Sequence, residues 1–122
     1  MSMRLTLATA MTIVALAMPA AADEVAMKGP DILKTLTGAR VEGSNWSQSF
    51  EVGGATIYAG ADGKQSSGRW DVRGDAYCSQ WPPSDAWACY AMATDTTADG
   101  ITIIWSSADG GRESGRLVAK GQ

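Results

Sequence analysis

The chain has 122 residues, 10 basic against 13 acidic side chains, and no histidine. That length fits one domain, and its scattered charges of mixed sign argue against nucleic acid or an anionic membrane surface as partner. Without imidazole there is no Ser-His-Asp or Cys-His system and no usual proton shuttle at neutral pH, so no enzyme activity is expected.

In chain order, "MSMR" carries a positive charge and Leu5 to Met18 is apolar or small throughout. The run of about 14 residues suits a signal-peptide core and is short of the roughly 20 that a membrane span needs. It ends in "PAAADE", with Ala20 and Ala22 at the small positions of an A-x-A cleavage site. We therefore read 1–22 as a signal peptide cleaved near Ala22/Asp23, an uncleaved anchor being the rival. No Cys follows to carry a lipid. The expectation is a periplasmic or secreted protein with no stable membrane span after cleavage. Loss of Arg4 leaves 9 basic against 13 acidic residues, a net charge of −4.

Residues 23–29 read as a flexible N-terminal arm and 30–122 as a single β-barrel domain. The stretch "GPDILKTLTG" predicts a short helix, with Gly29 as N-cap, Pro30 and Asp31 in the first turn, and Gly38 as the stop. Ile32, Leu33 and Leu36 form its apolar face. Beyond it, turn signals separate eight runs rich in Thr, Val, Ile, Trp and Tyr, at 39–43, 46–52, 55–60, 66–73, 76–81, 87–95, 101–107 and 114–120. Sequential antiparallel pairing gives an all-β up-and-down meander, closed or nearly closed into a lipocalin-like barrel. A two-sheet sandwich is the alternative.

A two-residue turn at Gly74-Asp75 would pair Arg73 with Ala76, Val72 with Tyr77 and Trp70 with Ser79. Alternation then puts Trp70, Val72, Tyr77, Ser79 and Trp81 on the inner face, and the charged residues and Cys78 outside. Pairing Cys78 with Cys89 across the next hairpin sets Tyr77 opposite Tyr90. It also places Tyr90 and Met92 inside and Trp87 outside. Ile101, Ile103, Trp105 and Leu117 are further inward candidates.

In an oxidising compartment a Cys78–Cys89 disulfide is the default. Ten residues separate the two, unlike a redox C-x-x-C, and a metal site would need ligands the chain lacks. No metal and no cofactor are expected. Asp62, Asp75, Asp85, Asp99 and Asp109 fall on turns, where local backbone hydrogen bonds explain them. "DTTADG" at 95–100 lacks the later Glu of a calcium loop. "RGD" at 73–75 reads as a tight turn, and no phosphate-binding or dinucleotide glycine pattern occurs.

The anomaly is aromatic: five Trp and three Tyr against a single Phe. Large rings fill the interior of a small barrel, but they also build ligand platforms. The candidate ligand or partner surface is Tyr77, Trp81, Trp87 and Tyr90, with Trp87 the hardest of them to explain by packing.

The motifs "GRWDVRGDAYC", "CY", a later "DG" and "GRLVAKG", over about residues 35 to 121, resemble small exported single-disulfide β-domain proteins of Gram-negative bacteria, of the domain-of-unknown-function type. That resemblance implies a periplasmic disulfide-bonded β domain and no particular activity. A "G-x-W" and a later Cys are also similar to periplasmic inhibitors of secreted metalloproteases, in which an N-terminal segment enters the protease cleft. Three functions follow as expectations. One is a non-catalytic module binding a small apolar or sugar-like ligand. The second is a module that captures an envelope or secreted protein through the arm. The third is a structural envelope component.

Overall fold

A computed structural model describes residues 23–120; the signal peptide expected over 1–22 lies outside the described residues. The elements are β1 (Val25–Ala26), α1 (Gly29–Leu36), β2 (Ala39–Glu42), β3 (Ser47–Phe50), β4 (Ala55–Ala59), β5 (Gln65–Arg73), β6 (Ala76–Gln80), β7 (Trp87–Thr97), β8 (Gly100–Ser106) and β9 (Arg112–Lys120). Strands β2 to β9 each pair antiparallel with the next, and β9 returns to β2, closing an eight-stranded barrel. Closure satisfies the polar edges that an open sheet would leave exposed. At the seam the register shifts between Arg40 and Val41, so that Val118 is left without a partner. A bulge of this kind adds local bend and twist.

The expected registers of the β5–β6–β7 hairpins are the observed ones, Trp70 opposite Ser79, Tyr77 opposite Tyr90 and Cys78 opposite Cys89. Gly74, at φ 58, supplies the left-handed conformation that the β5–β6 turn requires. The disulfide joins directly opposed residues whose Cα atoms are 4.0 Å apart. Cys78 was expected to face outward, yet it is fully buried. Its cross-strand neighbours Asp71 and Cys89 flank it on either side.

An antiparallel meander sends its turns alternately to the two ends of the barrel. The β3–β4, β5–β6 and β7–β8 turns share one end, and α1 plugs it. The eight-residue helix is too short to stand alone, and it docks Ile32 and Leu36 with no exposure at all. These two meet Val41, Phe50, Trp70, Tyr77, Met92, Ile103 and Trp105 in one core, with Val72, Tyr90, Ile101 and Leu117 packed against it.

Two details of the helix differ from expectation. Lys28, not Gly29, is the N-cap. Gly29 begins the helix because its N–H donates to Asp75 Oδ1 at 2.7 Å, and an added Cβ there would lie 2.1 Å from the Gly74 carbonyl oxygen. The Asp of "RGD" therefore anchors the plug. Leu33 is 51% exposed, because only the stripe through Gly29, Ile32 and Leu36 faces the barrel.

Residues 23–29, expected as a flexible arm, are partly tied down. Val25 and Ala26 pair with Thr94 and Ala93 of β7, and the Met27 N–H donates to the Met92 carbonyl at 2.9 Å. The cause is the length of β7, which runs on beyond the start of β6 and leaves backbone groups for β1 to satisfy. No helix among the described residues is long and apolar enough to cross a membrane.

Candidate functional site

The end of the barrel away from α1 carries the β2–β3, β4–β5, β6–β7 and β8–β9 turns, and there the interior opens into a cup of about 740 Å³. Alternation on β3 places Gln48 and Phe50 on the inner face, with Trp46 two residues ahead of Gln48 at the rim. Thr56 and Tyr58 follow on β4, then Ser66 on β5, Tyr77 and Ser79 on β6, and Tyr90 on β7. The lining also includes Trp81, Pro82, Trp105, Ser107, Arg112 and Glu113.

Six rings form an almost continuous collar. Trp81 meets Tyr58 edge to face at 6.3 Å between centroids, and Tyr58 stacks on Trp46 at 5.9 Å. Trp46 then meets Trp105 at 6.1 Å, Trp105 meets Tyr77 at 5.8 Å, and Tyr77 meets Tyr90 at 6.3 Å. Phe50 lies beneath, in contact with Tyr77, Trp105 and Trp70. Each ring thus has a partner that fixes its tilt, in the edge-to-face and offset arrangements that aromatic quadrupoles favour.

Glycines seat two of the tryptophans. A Cβ on Gly68 would lie 2.7 Å from Trp81 Cε3, and one on Gly43 would lie 2.0 Å from Trp46 Nε1. Gly115 makes the same room for the far edge of Trp46. Hydrogen bonds complete the positioning. Trp81 Nε1 donates to Ser79 Oγ at 3.1 Å and Trp46 Nε1 to Glu113 Oε1 at 2.8 Å. Gln48 Nε2 donates to both Thr56 Oγ1 at 2.9 Å and the Tyr77 hydroxyl at 3.1 Å. Trp105 Nε1 is the one buried side-chain donor among the described residues without a partner.

The rim holds one charge of each sign, Arg112 and Glu113, and Arg112 is ion-paired with Glu24. Asp109, in the β8–β9 turn, is held below the usual carboxylate range by hydrogen bonds from the Ser107 hydroxyl and the Gly111 N–H. Among the described residues no group of three or more potential ligands could hold a metal ion.

Burial pushes the Tyr77 hydroxyl up to about 12, against an ordinary value near 10. The sign of the linked stability follows. Below pH 10 both states keep the proton, whereas between about 10 and 12 the unfolded chain releases it first. Tyr77 therefore contributes about 2–3 kcal/mol that is fully present below pH 10 and lost as pH rises through 12. Urea melts across that range should show Tyr77→Phe losing less stability than the parent. Equal losses would mean that the hydroxyl is not buried.

Of the four candidate surface residues, the structure brings together Tyr77, Trp81 and Tyr90. Trp87 stands apart on the outer wall, its ring under the Arg73 guanidinium at 4.3 Å, in a groove with Leu33 and Val52. Parity alone places Trp87 there; grouping it with the others rested on nearness in sequence. Trp46, Gln48, Tyr58 and Glu113 were missed. Extending the period-two count back from an inward Phe50 would have found Trp46 and Gln48.

No protein family, curated protein or solved structure matches the chain. Fold and site together define its class: a small closed β-barrel, stapled by one disulfide, plugged at one end by a helix and open at the other into an aromatic cup.

Proposed function

We propose that the protein is an exported, non-catalytic binding module whose small ligand occupies the aromatic cup. The observation that carries this reading is the cup itself, a cavity of about 740 Å³ lined by six rings and a few polar groups. Its size falls within the roughly 300–1,000 Å³ of small-molecule sites, which are also lined by aromatic side chains with sparse polar anchors. Glycine seats and ring-to-ring contacts pre-set the wall, which reduces the ordering cost of binding. Export is supported by the leader-like sequence of residues 1–22 and by a disulfide of the kind that persists in oxidising compartments. A partner engaging residues 23–29 would first have to peel Val25–Met27 from β7, so the arm is the weaker route.

Tryptophan emission gives the test, because Trp46, Trp81 and Trp105 line the cup. A panel of oligosaccharides, fatty acids and aromatic acids should contain a member that shifts the spectrum saturably. Truncating a buried aromatic anchor costs about 2 kcal/mol, roughly thirtyfold in affinity. Trp46→Ala and Trp81→Ala should each show a loss of that order, and Trp87→Ala should bind like the parent. If nothing on the panel shifts the emission, or the two cup variants keep full affinity, the proposal fails.

A further inference from the structure

We infer that the cup takes carbohydrate, and takes it end-on, as the terminus of a glycan chain or a short free oligosaccharide. This inference rests on the binding-module reading above and names its ligand class. The first support is what the wall lacks. Not one Val, Leu, Ile or Met lines the cup, whereas Ile32, Leu36, Val41, Met92 and Ile103 are all spent in the core nearer the plug. A barrel built for an acyl chain would present those aliphatic side chains to it. Aromatic faces carry partial negative charge and suit the C–H groups of a sugar ring, which neighbouring oxygens polarise positively.

The arrangement of the rings narrows the class further. A flat ligand such as a nucleobase needs two parallel faces with a ring's thickness between them. Here successive rings touch one another at 5.8 to 6.3 Å, with tilts of 20° to 79°. That makes a curved wall and no slot. The polar groups favour hydroxyls over ions. The two rim charges are already engaged, Arg112 by Glu24 and Glu113 by Trp46 Nε1, while Ser66, Ser67 and Ser79 add hydroxyls, groups able to donate and accept.

Topology gives the direction of approach. Tyr77 and Trp105 line the cup above the buried Phe50, and beneath that ring α1 closes the other end with Ile32 and Leu36 fully buried. A polymer cannot thread through a blind cup, so a chain must enter by its end.

Titration of the residue 23–122 protein with linear oligomers of glucose, N-acetylglucosamine, mannose and galactose tests this. Palmitate, an anilinonaphthalene dye and a cyclic glucose oligomer complete the set. At least one linear series should bind, with affinity rising over the first few sugars and then levelling once the cup is filled. Trp46→Ala should lose about thirtyfold or more. Glu113→Gln, which keeps an oxygen to accept from Trp46 Nε1, should lose less and melt near the parent, whereas Trp46→Ala also gives up packing and is titrated well below its own melting point. Binding of palmitate or the dye in a Trp46-dependent manner, with no saccharide bound, would overturn the carbohydrate class and leave the binding module standing. A cyclic oligomer binding as tightly as its linear counterpart would overturn end-on recognition. Failure of every probe would overturn both readings.

Discussion

Truncating Phe50 to alanine should cost about 3–5 kcal/mol, the range for removing a buried aromatic ring. Phe50 is 1% exposed and touches the rings of Trp70, Tyr77 and Trp105 at 5.7 to 6.2 Å. Its removal opens a void under the cup that its neighbours, each held by other contacts, are poorly placed to fill. Because a domain of this size has roughly 5–15 kcal/mol in hand, the variant should unfold at much lower urea. A similar denaturant slope would show that the loss is one of stability alone. Val52→Ala is the matched control: that side chain is 76% exposed, and its loss should fall within about 0.5 kcal/mol. A Phe50→Ala cost under about 1 kcal/mol would mean that this ring cluster is not the foundation of the barrel.

Removal of the disulfide is the second large effect. Cys78 and Cys89 are separated by 11 positions, and a loop of that length is worth about 3 kcal/mol in the chain-entropy account. The double variant Cys78→Ala/Cys89→Ala should therefore melt on the order of 10–20 °C lower. The hairpin it frees carries Tyr77, Trp81 and Tyr90, so affinity for the ligand proposed above should fall along with stability. Reducing the parent with dithiothreitol should reproduce both changes, and a melting point unmoved by either treatment would refute the role assigned to the staple.

The legible part of this fold was local. The β5–β6 register could be written down because Gly74-Asp75 forms a two-residue turn, which fixes every cross-strand pair behind it. The paired cysteines did the same for β6–β7, and parity then sorted Trp70, Tyr77, Tyr90 and Met92 inward and Trp87 outward. What escaped depends on partners distant in sequence. β1 has no strand pattern of its own and exists because β7 outlasts β6. Leu33 looked like a core residue on a helical face, yet the plug presents a stripe too narrow to include it.

Half of the cup was hidden for a related reason. Trp46 meets Trp105 only once β9 has closed on β2, and no short-range rule brings β3 opposite β8; Tyr58 meets Trp81 across the intervening strand β5. The glycines that seat Trp46 and Trp81 gave no warning either. In sequence Gly43 and Gly68 simply fall within the expected strands 39–43 and 66–73, whereas in the fold they are the spaces the two indoles occupy.

The seam between β2 and β9 has a kinetic consequence. It pairs Ala39 with Lys120, so the contact that completes the barrel joins residues near opposite ends of the described chain. Non-local pairing of this kind slows folding, because the entropy of closing the loop is lost before any contact repays it. Until β9 has been synthesised, β2 and β8 are bare edges, and the cup's rings have no complete wall to pack into. A chain built this way stays open during synthesis and closes only once β9 is present to pair with both β8 and β2.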